Sequence, residues 1–162
     1  MGVSGSGKTS VAAGVARHQG WVLLEGDSFH PAANIVKMKA GTPLTDDDRW
    51  PWLRAIAARE DVLRAEGQSA VVACSALKRA YRDILIGDRS DMVLVYLRGS
   101  QALIAGRMAA RQHHFMPPAL LDSQFATLEE PGPDENPIIS AIDGSEAVVV
   151  DDVIRQLKER LA

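Results

Sequence analysis

The chain alternates between short apolar runs and stretches in which apolar residues recur at helical spacing. Apolar runs predict buried strands at residues 21–24, 69–74, 92–97 and 147–150. Helices are predicted from near Lys8 to near Gly20, over 30–38, from Thr45 or Asp46 onward, over 120–128 and over 151–161. Strands that alternate with helices predict an α/β fold, a three-layer α/β/α sandwich with a parallel sheet.

The segment from Gly2 to Thr9 fits the phosphate-binding pattern of Gly, four residues, Gly, Lys and Ser/Thr. Its glycines let backbone N–H groups form a nest for phosphate oxygens, and the helix that follows directs its positive end there. A flexible Gly/Ser-rich terminus is the alternative, but Val11 and Val15 continue at helical spacing. The sequence therefore predicts an ATP-using enzyme. Nucleotide contacts are expected from Gly2, Ser4, Gly5, Ser6, Gly7, Lys8, Thr9 and Ser10, with Lys8 on the β- and γ-phosphates and Thr9 on Mg²⁺.

Such a loop normally follows a hydrophobic strand in the middle of the sheet. The chain begins one residue before Gly2, so we expect that strand to be encoded upstream of Met1. Its absence is expected to affect stability and nucleotide geometry more than the identity of the function.

Two carboxylates, Glu25 and Asp27, follow the strand predicted at 21–24. Ligand sites of open parallel sheets lie at the carboxyl ends of strands, and residues separated by one position point to the same side. One carboxylate could orient the water shell of the metal while the other receives the proton of a substrate hydroxyl. A solvated turn is the alternative. Because the strand predicted at 69–74 ends in Cys74 and Ser75, without a metal-binding Asp, we expect Glu25 or Asp27 to orient the metal.

Arg49 lies near a predicted helix start and is flanked by two tryptophans. A planar guanidinium in such a place suits a carboxylate, because its fork engages both oxygens of the anion. The alternative is a surface ion pair with Asp46 or Asp48, and composition alone does not decide between the two. Lys78 and Arg82 are spaced to share one helix face, which suits anion binding but also describes many exposed faces.

Composition excludes several classes of protein. The 18 basic and 21 acidic residues give a formal net charge of −3, which disfavours nucleic acid as a partner. The sequence has one cysteine, no apolar run long enough to span a bilayer and no secretory leader, so we expect a cytoplasmic protein without a membrane partner. Its 162 residues suit a single domain.

The basic, proline-interrupted segment 107–117 has the character of a mobile lid that closes arginines over phosphates. His113 and His114 lie within it. Adjacent histidines point in different directions on a helix, and no Cys or carboxylate spacing supports them, so a metal site is not expected there.

The chain resembles the gluconate kinases (gluconokinases) of the shikimate-kinase-like P-loop kinase group. The resemblance rests on Asp27, Arg49 and Lys78 and on the longer sequence motifs around them. The matching blocks include GVSGSGKT at 2–9, EGDSFHP at 25–31, NIVKM at 34–38, GTPLTDDDRWPWL at 41–53, CSALKRAYRDIL at 74–85, RMAARQHHFMP at 107–117 and LLDSQFATLEEP at 120–131. Glu25 departs from the family pattern, which usually has Asp there.

The resemblance implies a P-loop kinase fold and transfer of the ATP γ-phosphoryl group to the 6-hydroxyl of D-gluconate. Asp27 would accept or orient the proton of the hydroxyl, while Lys8 and Arg111 would stabilise charge on the transferring group. The resemblance also implies the binding residues for three ligands. Mg²⁺ would be bound by Thr9 and Glu25. Gluconate would be bound by Arg49, Lys78, His30 and Gln124, and adenine would lie beside Arg107, Ile142 and Asp143. A homodimer is implied by the resemblance alone.

Three other functions are compatible with a phosphate-binding loop, and other parts of the sequence disfavour each of them. A kinase of the same fold could act on shikimate or a nucleoside monophosphate, but a shikimate kinase is expected to have a glycine-rich loop where this chain has residues 74–78. A GTP-dependent switch needs an Asn-Lys-x-Asp tetrapeptide, which the sequence lacks. The acidic balance disfavours a nucleic-acid-dependent ATPase.

Overall fold

The structure is a computed structural model and describes residues 1–110 and 118–161. Its helices are α1 Lys8–Gln19, α2 Ala32–Lys39, α3 Asp46–Ala65, α4 Arg79–Leu85, α5 Gln101–Ala110, α6 Pro118–Thr127 and α7 Glu146–Leu161. Its strands are β1 Val22–Glu25, β2 Ala70–Ala73, β3 Val95–Arg98 and β4 Ile138–Ala141, and short 3₁₀ turns cover Gly26–Phe29 and Pro133–Glu135.

The predicted helix boundaries follow local capping chemistry. Helix α1 ends at Gly20, which has a φ of 70° and donates its N–H to the carbonyl of Ala16. Thr45 caps α3: its hydroxyl accepts from the N–H of Asp48, and the Asp48 carboxylate accepts from the N–H of Thr45. The sequence analysis left the cap open between Thr45 and Asp46, and the structure assigns it to Thr45.

The strand predicted at residues 147–150 is wrong, because these residues belong to α7. The buried side chains of α7 include Val149, Val153 and Leu157, which recur every four residues on one face, while Val148 is exposed. Burial of this helical stripe overrides the strand propensity of three consecutive valines. The last strand is instead β4, which the sequence analysis did not predict.

The first two residues lie between two pairs of parallel strands. Among the described residues, β1 pairs with β2 and β3 pairs with β4. The N–H of Gly2 donates to the carbonyl of Ser75, just beyond β2, while Met1 exchanges backbone hydrogen bonds with Val95 and Leu97 of β3. Met1 therefore takes a parallel strand position beside β3 and links the two halves of the sheet.

A cavity of about 550 Å³ extends between the facing edges of β2 and β3, with Met1 in its wall. Its lining is largely apolar and includes Val71, Val93 and Val95.

Helices cover both faces of β2. Val71 packs against the apolar cluster that contains Val11 and Val15 of α1, with α7 beside it. The next residue, Val72, packs against the cluster that contains Trp52 and Ile56 of α3. Because successive strand residues point to opposite faces, this pattern confirms the α/β arrangement with helices on each side.

Glu60 of α3 carries a buried carboxyl group. Only 5% of the residue is exposed, and its Oε2 has no hydrogen-bond partner among the described residues. Burial raises the pKa of Glu60 to about 7, opposed by Arg89. A carboxyl with a raised pKa takes up a proton on folding, so its contribution to stability is present at low pH and is lost as pH rises from about 4.5 to 7.

We therefore expect Glu60→Gln to change how stability depends on pH. Between pH 5 and pH 8, the free energy of unfolding of the parent chain should fall by about 2 to 3 kcal/mol more than that of the variant. Urea titrations at several pH values measure this difference, with Glu66→Gln on the exposed end of the same helix as the control. Parallel pH profiles for the parent chain and Glu60→Gln would contradict the prediction.

Candidate active site

The glycine-rich segment forms a tight loop that leads into α1. Gly5 has a φ of 80°, and a Cβ there would lie 2.8 Å from Cγ of Met108 in α5. Gly7, with a φ of 89°, immediately precedes the helix. Both positions therefore suit glycine, and the loop meets the positive end of a twelve-residue helix, which favours a bound anion.

Lys8 folds back over this loop. Its Nζ donates to the carbonyl of Val3 at 2.9 Å. Burial lowers the pKa of Lys8, while the nearby carboxylates of Asp27 and Glu25 raise it. The predicted phosphate-binding lysine is thus electrostatically coupled to both carboxylates at the carboxyl end of β1.

Thr9 and Glu25, the two residues predicted to hold Mg²⁺, are in contact. The Thr9 hydroxyl donates to Oε2 of Glu25 at 3.1 Å, and Oε1 of Glu25 is buried without a partner among the described residues. These hard oxygen donors fit Mg²⁺, which commonly takes only one or two protein oxygens beside phosphates and water. No larger cluster of potential metal ligands occurs within residues 1–110 and 118–161.

Gln124 of α6 contacts the phosphate loop. Its Oε1 accepts from the N–H of Ser4 at 2.7 Å, and its Nε2 donates to the Ser4 hydroxyl at 3.2 Å. Gln124 was expected near gluconate. In this structure its amide hydrogen-bonds to Ser4 of the glycine-rich loop.

Asp27 lies in the turn after β1, beside His30. The Asp27 side chain is 93% exposed, whereas that of His30 is 4% exposed, and Nε2 of His30 lies 4.0 Å from Oδ1 of Asp27. His30 stacks on Trp52, whose Nε1 donates to the carbonyl of Gly26. The turn that carries Asp27 is therefore fixed against α3, while the carboxylate faces solvent.

Arg49 and Lys78 converge on Tyr81 and Asp46. Lys78 Nζ donates to both oxygens of Asp46, at 2.8 and 3.0 Å, and the Tyr81 hydroxyl donates to the same carboxylate. Arg49 Nη1 donates to the Tyr81 hydroxyl at 3.2 Å and lies 3.9 Å from Asp46. The lysine and tyrosine hydrogen bonds lower the pKa of Asp46, so this carboxylate is ionised between two cations.

This geometry resolves the alternatives for Arg49 only in part. Asp48 is not its partner, because Lys37 binds Asp48 at 2.6 Å and lowers the pKa of that carboxyl to about 2. The approach to Asp46 matches the ion-pair alternative, although at the long end of its range. Proximity to Lys78 matches the anion-site prediction, so Arg49 combines both features.

Arg107 is near the other predicted adenine residues. Its Nη2 donates to the carbonyl of Ile142 and, at 3.1 Å, to that of Gly144. Ile142 is buried and Asp143 is exposed between these two acceptors. Arg111 and most of the predicted lid, together with His113 and His114, lie outside the described residues.

Arg82 is a buried residue that fixes the loop after β2. Its guanidinium pairs with Glu135 at 2.5 Å and donates to the carbonyls of Ala76, Leu77 and Glu129. Ala76 has a φ of 44°, a conformation that non-glycine residues rarely adopt. These bonds hold the loop and therefore the position of Lys78. Arg82 therefore has a structural role. Its helical spacing from Lys78 had suggested an anion-binding residue or an exposed one.

Two residues of the site escaped the sequence analysis as functional groups: Asp46 and Tyr81. Tyr81 is three residues after Lys78, so helical spacing carried a signal for it. Asp46 was explained as a helix-start residue, which it is, and its contact with Lys78 spans 32 positions of the chain.

The fold and the phosphate loop define a protein of the P-loop kinase fold. Residues 1–131 match the family model described as "AAA domain". The gluconokinase of Gluconobacter oxydans (strain 621H) is 48% identical over 161 residues, covering 98% of this chain and 89% of that protein. The thermoresistant gluconokinase of Escherichia coli (strain K12) is 43% identical over 139 residues, covering 86% and 79%. A crystal structure of a gluconokinase from Sinorhizobium meliloti 1021 matches with a TM-score of 0.89 at 44% identity, covering 99% of this chain and 92% of that one. The chain belongs to the gluconokinase family.

We expect Arg82→Met to destabilise the protein far more than Arg79→Met. Both arginines lie in α4 and pair with residues 134–135, but the Arg82–Glu135 pair is buried while Arg79 and Asp134 are exposed. Loss of one partner from a buried pair costs about 3 kcal/mol or more, whereas an exposed pair contributes about 1 kcal/mol or less. Urea denaturation of both variants measures the difference, and equal losses would show that the buried pair does not hold this loop.

Proposed function

We propose that this protein transfers the γ-phosphoryl group of ATP to the 6-hydroxyl of D-gluconate, giving 6-phospho-D-gluconate and ADP. One observation carries the proposal: two cations, Arg49 and Lys78, converge on a carboxylate beside the turn that bears Asp27. The names of relatives that are 39–48% identical support it over a shikimate or nucleotide kinase.

Gluconate would bind with its carboxylate among the donors that now surround Asp46. Arg49 is better placed than Lys78 to bind this carboxylate, because its contacts with Tyr81 and Asp46 both use Nη1. The remaining nitrogens of its fork suit a second carboxylate. The pKa of His30 is raised by Asp27 and lowered by Arg49, so the ring is electrostatically coupled to both residues of the proposed substrate site.

Asp27 would orient the 6-hydroxyl and take its proton as the oxygen attacks the γ-phosphorus. Lys8 and Arg111 would balance charge on the transferring group. Thr9 and Glu25 would hold Mg²⁺ and its water shell, which neutralises phosphate charge when bound. Most of the rate acceleration in phosphoryl transfer comes from this kind of positioning and electrostatic stabilisation.

The nucleotide would lie along the loop from Gly2 to Ser10, with its adenine between Arg107 and the 142–143 segment. The hydrogen bonds from Arg107 to the carbonyls of Ile142 and Gly144 support this placement, because they fix the guanidinium beside that segment.

We also propose a cellular compartment and an oligomeric state for the enzyme. Within the described residues, no helix combines the length and the apolar character needed to cross a bilayer. Cys74 is buried and unpaired, and burial raises its pKa to about 11, which suits an unreactive thiol in a reducing compartment. We place the enzyme in the cytoplasm, as a homodimer on the basis of the family resemblance.

The proposed function predicts acceptor-dependent ADP release from Mg-ATP. Gluconate, shikimate, a nucleoside monophosphate and no acceptor should be compared side by side, with the phosphorylated position of the product determined by NMR. Gluconate alone should accelerate ADP release. In Asp27→Asn, kcat should fall by about 10² to 10⁴, while the exposed carboxylate variant Asp47→Asn should match the parent chain. Equal ADP release with and without gluconate would refute the sugar-acid assignment.

Arg49→Lys should separate substrate binding from chemistry. A point charge cannot reproduce a bidentate fork, so the KM for gluconate should rise about tenfold while kcat and the KM for ATP change little. Arg54→Lys, an exposed substitution on the same helix, is the matched control. A parent-like KM for gluconate in Arg49→Lys would leave Arg49 as a structural partner of Asp46 and Tyr81.

A further inference from the structure

His30 is held in one orientation. Its ring lies 4.2 Å from that of Trp52 at an interplanar angle of 16°. Trp52 is itself buried, and its Nε1 donates at 2.7 Å to the carbonyl of Gly26, which directly precedes Asp27. The Trp52 indole covers one face of the imidazole, and His30 makes its polar contacts through its two ring nitrogens.

Asn34 determines which of those nitrogens carries the proton. This residue is 3% exposed, and its Nδ2 lies 2.8 Å from the carbonyl of Asp48 and 3.3 Å from Nδ1 of His30. A backbone carbonyl only accepts, so the amide nitrogen must face it. The second hydrogen of that nitrogen then points to Nδ1, which must accept, and the single proton of a neutral imidazole resides on Nε2.

The proton on Nε2 faces Asp27. Burial lowers the pKa of His30, Asp27 raises it and Arg49 lowers it, so the ring favours its neutral form. Nε2 lies 4.0 Å from Oδ1 of Asp27, and the Asp27 side chain is almost fully exposed, so a small rotation of the carboxylate closes this distance to a hydrogen bond.

We propose that Asn34 and His30 are positioning residues for Asp27. Asn34 fixes the Nε2–H tautomer. His30 then donates a hydrogen bond from Nε2–H to one oxygen of Asp27, and this bond directs the other oxygen at the attacking hydroxyl. His30 therefore acts through Asp27 instead of contacting gluconate. The inference rests on the proposed function for the role of Asp27, but the tautomer and its coupling to Asp27 can be measured without turnover.

The first test is ¹⁵N NMR of the histidine rings in the ¹⁵N-histidine-labelled chain. His30 should show the Nε2–H tautomer, and its Nε2 signal should shift in Asp27→Ala, whereas exposed His18 on α1 should not change. Asn34→Ala should move His30 toward a mixture of tautomers. An Nδ1–H tautomer, an imidazolium ring, or a His30 signal unaffected by Asp27→Ala would overturn the proposal, whether or not gluconate is a substrate.

The second test compares two substitutions of His30 in the gluconate assay. His30→Phe keeps a ring for stacking on Trp52 but removes the donor, so kcat should fall about tenfold, with the KM for gluconate within about threefold of the parent value. His30→Gln retains a terminal amide donor and should recover part of kcat. A raised KM at unchanged kcat would make His30 a substrate contact, and parent-like kinetics in His30→Phe would also overturn the proposal. Loss of the proposed function itself would appear separately, as an inactive parent chain.

Discussion

The parallel pairing of β1 with β2 is the constraint on which the site depends. Their register places Glu25 opposite Ala73, so the turn after β1 and the loop after β2 leave the sheet at the same edge. The approach is close, because a Cβ at Gly26 would lie 2.7 Å from the carbonyl of Ala73. This pairing brings the turn that carries Asp27 and the loop that carries Lys78 to the same edge of the sheet, although 51 positions of sequence separate the two residues.

Residues whose structure is decided locally were predictable. The phosphate loop has a fixed spacing because its backbone must fold around an anion, and the cap at Thr45 depends on residues within one helical turn. The prediction of carboxylates at the end of β1 needed only the alternation of strand residues and the rule that sites lie at the carboxyl ends of parallel strands. Glu25 lies at that end of β1, where it accepts a hydrogen bond from Thr9.

Tertiary contacts account for what the sequence did not reveal. Nothing local distinguishes three valines in a strand from three valines at the start of an amphipathic helix, and the packing of α7 against α1 and β4 decides the matter. Similarly, Asp46 looks like an ordinary helix-start acid until Lys78 and Tyr81 are placed beside it by the fold. Arg82 has helical spacing with Lys78, yet its guanidinium lies inside the protein, bound to Glu135 and backbone carbonyls.

The positions of two tryptophans have an optical consequence. Trp52 stacks on the ring beside Asp27, and Trp50 makes an edge contact with Tyr81, at 5.5 Å between ring centroids, beside Arg49 and Lys78. The third indole, Trp21, lies in the wall of the cavity between β2 and β3. One indole thus lies beside Asp27 and another beside Arg49 and Lys78, so we expect the emission of the unmodified chain to report on events at either place without an added label.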